Sequence, residues 1–298
     1  MARVLVLGRT GMLGRAVVRM LAACPGIAVE GTQRSRPGEG LYLDACQGRT
    51  GLEALTRANG TVDYMVNCVG VLNSEIDETD PGSVLTAIRV NGLFPFEVAR
   101  LAECDGSRVI HISTDGVFSG RSAEVYWEDS ACDPVDIYGM TKRLGEVPSP
   151  AVLNIRCSII GKDPQDRKGL VEWVLSRDDE AVVTGYSDSL WNGVTTIQLA
   201  ELCRDIIVGE RFDEFRERSA VYHFCSPDPV SKCALVGMIA EAFGKKLRVT
   251  AAQSPSGPVR RILGTRFPEL VWTGSGPDLR SGIRQLGECE GCQTGAAQ

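Results

Sequence analysis

The chain has 298 residues, 43% of them hydrophobic and 23% charged, with a net charge of -6. That is the make-up of a globular protein with room for one large α/β domain or two closely packed smaller ones. Such a chain lacks the basic face of a general nucleic-acid binder, and no apolar run approaches the roughly 18 residues of a membrane span.

The first residues, MARVLVLGRTG, hold a short apolar core followed by glycines and arginines; they predict a strand over 3–8 rather than a signal peptide. A helix follows from Met12 to Ala23, with Leu13, Val17, Met20 and Leu21 on one face. IAVEGT, GLYLD, DYMVNCVG and RVIHIS predict the second to fifth strands, and AVLNIRCSIIG (151–161) the sixth. Helical patterns near 51–58, 84–102 and 136–146 lie between or after them. This alternation predicts a Rossmann-type doubly wound parallel sheet with helices on both faces, an α/β fold.

Past Gly161 the regularity fades. GLVEWVLSR and TTIQLAELCRDIIVG predict amphipathic helices separated by AVVTGYSDSLWNGV. SKCALVGMIAEAFG predicts a helix with Ser231 as N-cap and Gly244 at its C-terminal end, and LRVTAAQ a short strand. The expected organisation is a dinucleotide-binding domain over 1–160, completed by 193–224. A smaller C-terminal substrate-binding region takes 161–192 and 225–286. Residues 287–298 have almost no large apolar side chains and are expected to be a disordered tail.

The eleven cysteines are scattered through predicted strands and helices, and Cys68, Cys157 and Cys225 lie in apolar contexts where a thiol behaves as a small hydrophobe. A reduced, cytoplasmic protein is the natural expectation. Cys289 and Cys292 form a single C-x-x-C; with only His111 and His223 as histidines, no metal site is predicted.

Gly8, Gly11 and Gly14 form G-x-x-G-x-x-G directly after the first strand and open the first helix. Glycine allows a tight turn and a close backbone approach to a pyrophosphate, and the helix N-terminus offers unpaired N–H groups to phosphate oxygens. The loop residue Thr10 and the helix-opening Met12 and Leu13 are candidate contacts beside the three glycines. At the end of the second strand, GTQRSR carries Gln33, Arg34, Ser35 and Arg36 and no carboxylate, while Glu30 lies within the strand. An arginine at that tip suits the extra phosphate of NADP(H), with NAD(H) left open; a solvated surface loop would carry the same residues.

The fifth strand, in SRVIHISTDGVFSG (107–120), begins with the β-branched run Val109, Ile110 and Ile112 of a buried parallel strand. It ends in Ser113, Thr114, Asp115 and Gly116. Ligands sit at the carboxyl ends of strands in open α/β sheets, so a polar tip there is a candidate active-site lip. Downstream, VDIYGMTKRLGE places Tyr138 and Lys142 four residues apart on one helix face. A phenol has an ordinary pKa of about 10, and a nearby ammonium is expected to lower it toward proton transfer at neutral pH.

The combination of G-x-x-G-x-x-G, STD-x-VF and YG-x-(T/S)K-x-x-GE resembles the extended short-chain dehydrogenases/reductases. More narrowly it resembles the dTDP-4-dehydrorhamnose reductase group of nucleotide-sugar enzymes. The likeness runs from Ala2 to about Leu286 and includes RVNGLFPFEVARLA, WNGVTT and SKCALVGMIAEAFGK. It implies Thr114 as the catalytic hydroxyl, Tyr138 as the acid and Lys142 as its partner, also binding the nicotinamide ribose. It further implies Asp44 at the adenine, Cys68, Val69 and Gly70 lining the cofactor, and Asn91 supporting a proton-relay water. Relatives commonly carry a tyrosine where this chain has Gly116, which puts the specific sugar in question.

The activity so implied is NADPH-dependent reduction of a nucleotide-linked keto-deoxy sugar by a cytoplasmic protein, with a homodimer compatible. The alternatives are an epimerase or dehydratase with tightly bound NAD, and a non-catalytic cofactor-binding regulatory subunit. Thr114, Asp115 and Gly116 are expected to face substrate. Arg156 is expected to pair with either a substrate phosphate or an internal carboxylate. Trp191 and Asn192 are candidates for contact with the sugar or base, with core packing the competing role for the tryptophan.

Overall fold

The short runs of β-branched and aliphatic residues pair as a parallel sheet in a computed structural model that describes residues 1–34, 41–163, 167–274 and 276–294. The chain divides into two units: Met1–Phe118 with Ala131–Cys157 and Ala200–Tyr222, and Ser119–Ser130 with Ser158–Leu199 and His223–Gln298. The division differs from the expected one in that residues 119–130 join the second unit and the return to the first begins at Ala200 rather than at 193.

The first unit is built on strands β1 (Ala2–Leu7), β2 (Ile27–Gln33), β3 (Leu41–Tyr42), β4 (Tyr64–Asn67), β5 (Arg108–Thr114) and β6 (Val152–Cys157). With the strand Val221–His223 at one edge, the sheet runs Val221–His223, β6, β5, β4, β1, β2, β3. The ladders between β1 and β2, β1 and β4, β2 and β3, β4 and β5, and β5 and β6 are all parallel. The order reverses between β1 and β4, which makes their carboxyl ends the crevice where a doubly wound sheet takes its ligand.

Five helices connect these strands: α1 (Met12–Ala22), α2 (Arg49–Asn59), α3 (Pro81–Ala87), α4 (Phe94–Asp105) and α5 (Ile137–Leu144). Asp80 caps α3 through the Gly82 and Ser83 N–H groups, and Asp136 caps α5 through Gly139 N–H. The single helix expected over 84–102 is instead α3 and α4 joined by a π-helical segment, Ile88–Leu93. Such segments interrupt α-helices frequently at functional sites. Leu5, Leu7, Met65, Val90, Phe94, Val98, Val109 and Val152 lie in one buried core that fixes α4 against the sheet.

The predicted sixth strand is shorter than expected. It stops at Cys157, and Ile159–Ile160 pairs in parallel with Val194–Thr195 in a separate sheet. All six residues of β6 are buried, including Asn154 and Arg156. Asn154 behaves like a second peptide group: its Oδ1 accepts from Val147 N–H at 3.1 Å while its Nδ2 donates to Val147 O at 3.0 Å and Ala220 O at 3.1 Å.

In the second unit, Val182–Tyr186 and Arg248–Ala252 pair in parallel. The helices Leu170–Leu175, Lys232–Ala242 and Leu279–Thr294 surround a core of Val171, Val174, Val183, Trp191, Leu235, Ile239 and Ile283. Ser231 caps its helix as expected, accepting from Ala234 N–H at 3.1 Å. The helix Leu279–Thr294 extends into the stretch expected to be a disordered tail; its buried residues Leu279, Ile283 and Leu286, at four- and three-residue spacing, all precede that stretch. No helix among the described residues is long and apolar enough to cross a membrane.

Candidate active site

The glycine loop has the backbone geometry that its spacing suggests. Gly8 has φ +84°, a left-handed value that disfavours any side chain, and a Cβ there would stand 3.1 Å from Val69 Cγ2. A Cβ on Gly14 would lie 2.1 Å from Gly8 O, so α1 can rest on the end of β1 only with glycine at that position. Gly11, the N-cap of α1, provides no side-chain cap, and a Cβ there would be 3.6 Å from Gly8 O, an ordinary contact. Thr10, Met12 and Leu13 continue the turn into α1, where Leu13 is buried. Gly8 N–H donates to Thr32 Oγ1 at 3.1 Å, tying the loop to the end of β2. Arg34, just past β2, is exposed; Ser35 and Arg36 lie outside the described residues.

Two asparagines hold the segment after β4. Asn67 Oδ1 accepts from Val69 N–H at 3.2 Å. Asn91, in the π segment, accepts from Val71 N–H at 2.8 Å and donates to Val71 O at 3.0 Å and to Thr141 Oγ1 at 3.2 Å. Cys68, Val69 and Gly70 thus sit between clamps, beside Gly8. Burial raises the Cys68 thiol to about 12, so it is a neutral wall rather than a nucleophile. Asp44 caps the short turn Ala45–Gln47 by accepting from Cys46 N–H at 2.9 Å.

At the carboxyl end of β5, Thr114 Oγ1 accepts from Gly116 N–H at 3.0 Å and lies 3.2 Å from Asp115 Oδ1. Tyr138 on α5 comes up to Thr114: a Cβ built on Gly116 would stand 3.3 Å from both Thr114 Oγ1 and Tyr138 Cε1. Two glycines allow that meeting. A Cβ on Gly139 would stand 2.2 Å from Gly116 O, and one on Gly145 would stand 2.0 Å from Asn91 O, so α5 lies directly on both backbones. Lys142 Nζ, in the same helix, donates to Ile112 O at 2.6 Å.

The titration behaviour differs from the expectation of a phenol made acidic by its lysine. Burial pushes Tyr138 up from 10 to about 12, against the opposing pull of the Thr114 hydroxyl, and Asp115, Cys157 and Asp136 raise it further. Burial also lowers Lys142 from 10.5 to about 8, opposed by Cys157, Glu146 and Cys68. The ammonium is spent on the Ile112 carbonyl, and desolvation decides both groups. The phenol is therefore neutral, the form that donates a proton.

The profile of the RmlD substrate binding domain matches residues 2–261. The chain belongs to that family. Among curated relatives, the dTDP-4-dehydrorhamnose reductase of Streptomyces griseus is 33% identical over 144 residues, 48% of this chain and 43% of that protein. The probable low-salt glycan biosynthesis reductase Agl14 of Haloferax volcanii is 33% identical over 186 residues, 57% of this chain and 59% of that protein. These matches span about half the length of the relatives. Methionine adenosyltransferase 2 subunit beta of Danio rerio is 27% identical over 81% of this chain and 74% of its own. The same fold occurs in a dTDP-4-dehydrorhamnose reductase from Clostridium acetobutylicum, at a TM-score of 0.78 and 19% identity, covering 97% of this chain and 99% of that one.

Within this RmlD-type chain, several expected ligand contacts have other partners. Arg156 faces Glu146: its Nε donates to Oε1 at 2.7 Å and its Nη2 to Oε2 at 2.8 Å. The pair is almost fully buried and lies under the Phe118 ring, so the internal ion pair, not the substrate phosphate, describes Arg156 here. In the second unit, Asn192 donates to Ser226 O and Leu263 O and accepts from Leu263 N–H, which commits its amide to backbone. Trp191 Nε1 donates to Ser158 Oγ at 2.7 Å and its ring is 5% exposed, a core position.

Gly116 lies outside the left-handed backbone region, so no turn requires glycine there. A Cβ would stand 3.3 Å from both Thr114 Oγ1 and Tyr138 Cε1, a tight fit. Sequence reasoning missed Glu146, whose Oε1 also accepts from Ser113 Oγ at 2.7 Å. Its place four residues after Lys142, just past the C-terminal end of α5, was the available signal. His111, on β5, was counted only as a potential metal ligand; it lies in the core opposite Asn67.

Proposed function

We propose that the chain reduces the keto group of a nucleotide-linked keto-deoxy sugar with NADPH, in the cytoplasm. The observation that carries the reading is the meeting of Tyr138 and Thr114 at the carboxyl end of β5, where a Cβ built on Gly116 would touch both side chains at 3.3 Å. It lies on the same sheet as a glycine cradle whose closest approaches leave no room for side chains. The residues fit a dinucleotide. Gly8 and the exposed Gly11 leave the loop backbone open where a pyrophosphate would lie, and α1 presents N–H groups with no side-chain cap. Arg34 would meet the 2′-phosphate. When bound, the cofactor supplies the hydride.

Tyr138 delivers a proton to the keto oxygen, and the Thr114 hydroxyl orients that oxygen against the phenol. The Thr114 hydroxyl also favours the phenolate left after transfer, because it pulls the phenol's pKa down. Lys142 holds α5 to the Ile112 carbonyl and so keeps Tyr138 level with Thr114. Gly116 leaves the substrate side of this pair without a side chain.

NADPH oxidation measured against a panel of dTDP- and UDP-linked keto-deoxy sugars tests the reading. Turnover with at least one, with NADPH preferred over NADH, is expected. Tightly co-purifying NAD with sugar interconversion and no net oxidation would favour an epimerase. Cofactor binding without turnover on any sugar would favour a non-catalytic, regulatory subunit; the Danio rerio relative is by name a subunit, methionine adenosyltransferase 2 subunit beta.

A further inference from the structure

We infer that His111 and Asn67 form a positioning pair that holds the segment after β4 in the shape the cofactor meets. The inference rests on the reading of Gly8 and residues 68–70 as part of the dinucleotide cradle. His111 and Asn67 stand opposite one another on β5 and β4, and each is 1% exposed.

The Asn67 amide faces two ways. Its Oδ1 accepts from Val69 N–H at 3.2 Å, and its Nδ2 lies 3.1 Å from His111 Nδ1. Turning the amide over would set its NH2 group against the Val69 N–H, donor against donor. Val69 therefore fixes the amide, and the amide in turn needs an acceptor at His111 Nδ1. The imidazole must be neutral with its proton on Nε2. A protonated ring would present N–H groups on both sides and repel Asn67. Burial and the nearby Lys142 ammonium both disfavour that cation.

The arrangement has a cost that argues for its purpose. His111 Nε2 is buried with no hydrogen-bond partner among the described residues. A phenylalanine or leucine would fill the core without an unpaired donor. Histidine keeps the acceptor that Asn67 requires, and Asn67 passes it to Val69. Val69 is the residue against which Gly8 packs, with 3.1 Å between its Cγ2 and a Cβ built on Gly8. Asn91 grips Val71 two residues on. The segment between is pinned from the β4 side by His111 and Asn67 and from the π segment by Asn91.

The chain has only two histidines, so imidazole 15N NMR of the wild-type protein reads this directly. One ring is expected in the Nε2–H tautomer, without titrating between about pH 5 and 8. An Nδ1–H tautomer at His111, or titration near its ordinary value, would overturn the inference. Asn67→Ala and His111→Phe are expected to speed hydrogen exchange at the Val69 amide. They should also weaken NADPH about three- to tenfold, the usual worth of a hydrogen bond, with KM for NADPH rising more than kcat falls. Asn67→Asp keeps an acceptor for Val69; it should retain slow exchange and move the histidine proton to Nδ1. Unchanged Val69 exchange in Asn67→Ala would also overturn the pair's role. If the wild-type protein binds no NADPH, the functional reading fails, while the tautomer and exchange results still decide the positioning.

Discussion

Gly139 lies against the backbone of Gly116 so closely that a Cβ added to it would stand 2.2 Å from the Gly116 carbonyl oxygen. Two stretches separated by more than twenty residues are thereby brought into contact, and Tyr138 reaches Thr114 as a result. Gly139→Ala should force α5 outward and carry Tyr138 away from Thr114. The expected outcome is a kcat loss of about 10²-fold or more, comparable to losing the acid itself, with NADPH affinity less affected. Steady-state kinetics beside cofactor titration checks it; full turnover by this variant would show that the close approach does not set the acid.

Tyr138→Phe removes one oxygen and leaves the ring in place. General acid catalysis contributes about 10²–10⁴-fold, so most turnover should vanish while NADPH binding and melting temperature change little. Near-normal turnover would reassign the proton donor.

Lys142 carries its charge at a cost. Its pKa is lowered to about 8 in the folded protein, so below that pH folding must bury an ammonium. The unfolded state holds the proton up to about 10.5, and stability from this group therefore rises with pH from about 8 to 10.5. The shift is worth ~3 kcal/mol, and the lost bond to Ile112 O offsets part of it. Lys142→Met is thus expected to melt higher than wild type at pH 7, with the advantage shrinking toward pH 10.5, and to lose activity. Equal melting curves at every pH would show that the lysine is not buried as a cation.

Gly116 distinguishes pocket from backbone. Its φ lies outside the left-handed region, so a side chain there is opposed by contact with Thr114 and Tyr138 rather than by the turn. Gly116→Ala should keep the fold within about 1 kcal/mol, the scale of a neighbour shifting by a few tenths of an ångström, and lower kcat modestly. Gly116→Tyr should alter substrate choice with NADPH affinity within a few-fold. Unchanged substrate preference in both would remove Gly116 from the account of sugar selection.

Arg34 is exposed at the end of β2, where the extra phosphate of NADPH would approach. Arg34→Ala should weaken NADPH about tenfold or more and NADH hardly at all, since only one carries that phosphate. Equal effects on both, measured by fluorescence titration, would locate phosphate recognition elsewhere.

The sheet was legible because its strands are short β-branched runs separated by helical patterns, and Gly8 and Gly14 stand where their spacing placed them. Tyr138, Thr114 and Lys142 were also legible as a set, since i and i+4 on α5 face the end of β5. The phenol's acidity was not: charge is visible in a sequence, but desolvation depends on what α5 is pressed against. Arg156 and Asn192 look like ligand contacts in one dimension because a guanidinium fork suits a phosphate and a side-chain amide suits a sugar or base. Their partners, Glu146 and the Leu263 backbone, are 10 and 71 residues away. The π segment was not legible, because one inserted residue shifts the apolar stripe without breaking it.

That added residue has a mechanical consequence. Each residue of an α-helix advances the azimuth by about 100°, so the insertion between α3 and α4 puts the two halves out of phase by about that angle. The upstream half and the downstream half present different sets of sequence positions to their neighbours, and Asn91 occupies the turn where one phase gives way to the other. A continuous α-helix through the same residues could keep α4 in its core of Phe94 and Val98, or keep α3 in register, but not both. The slip in helical phase is thus what lets one rod serve two masters: it seats α4 by its apolar stripe and turns a single buried amide toward Val71 and Thr141.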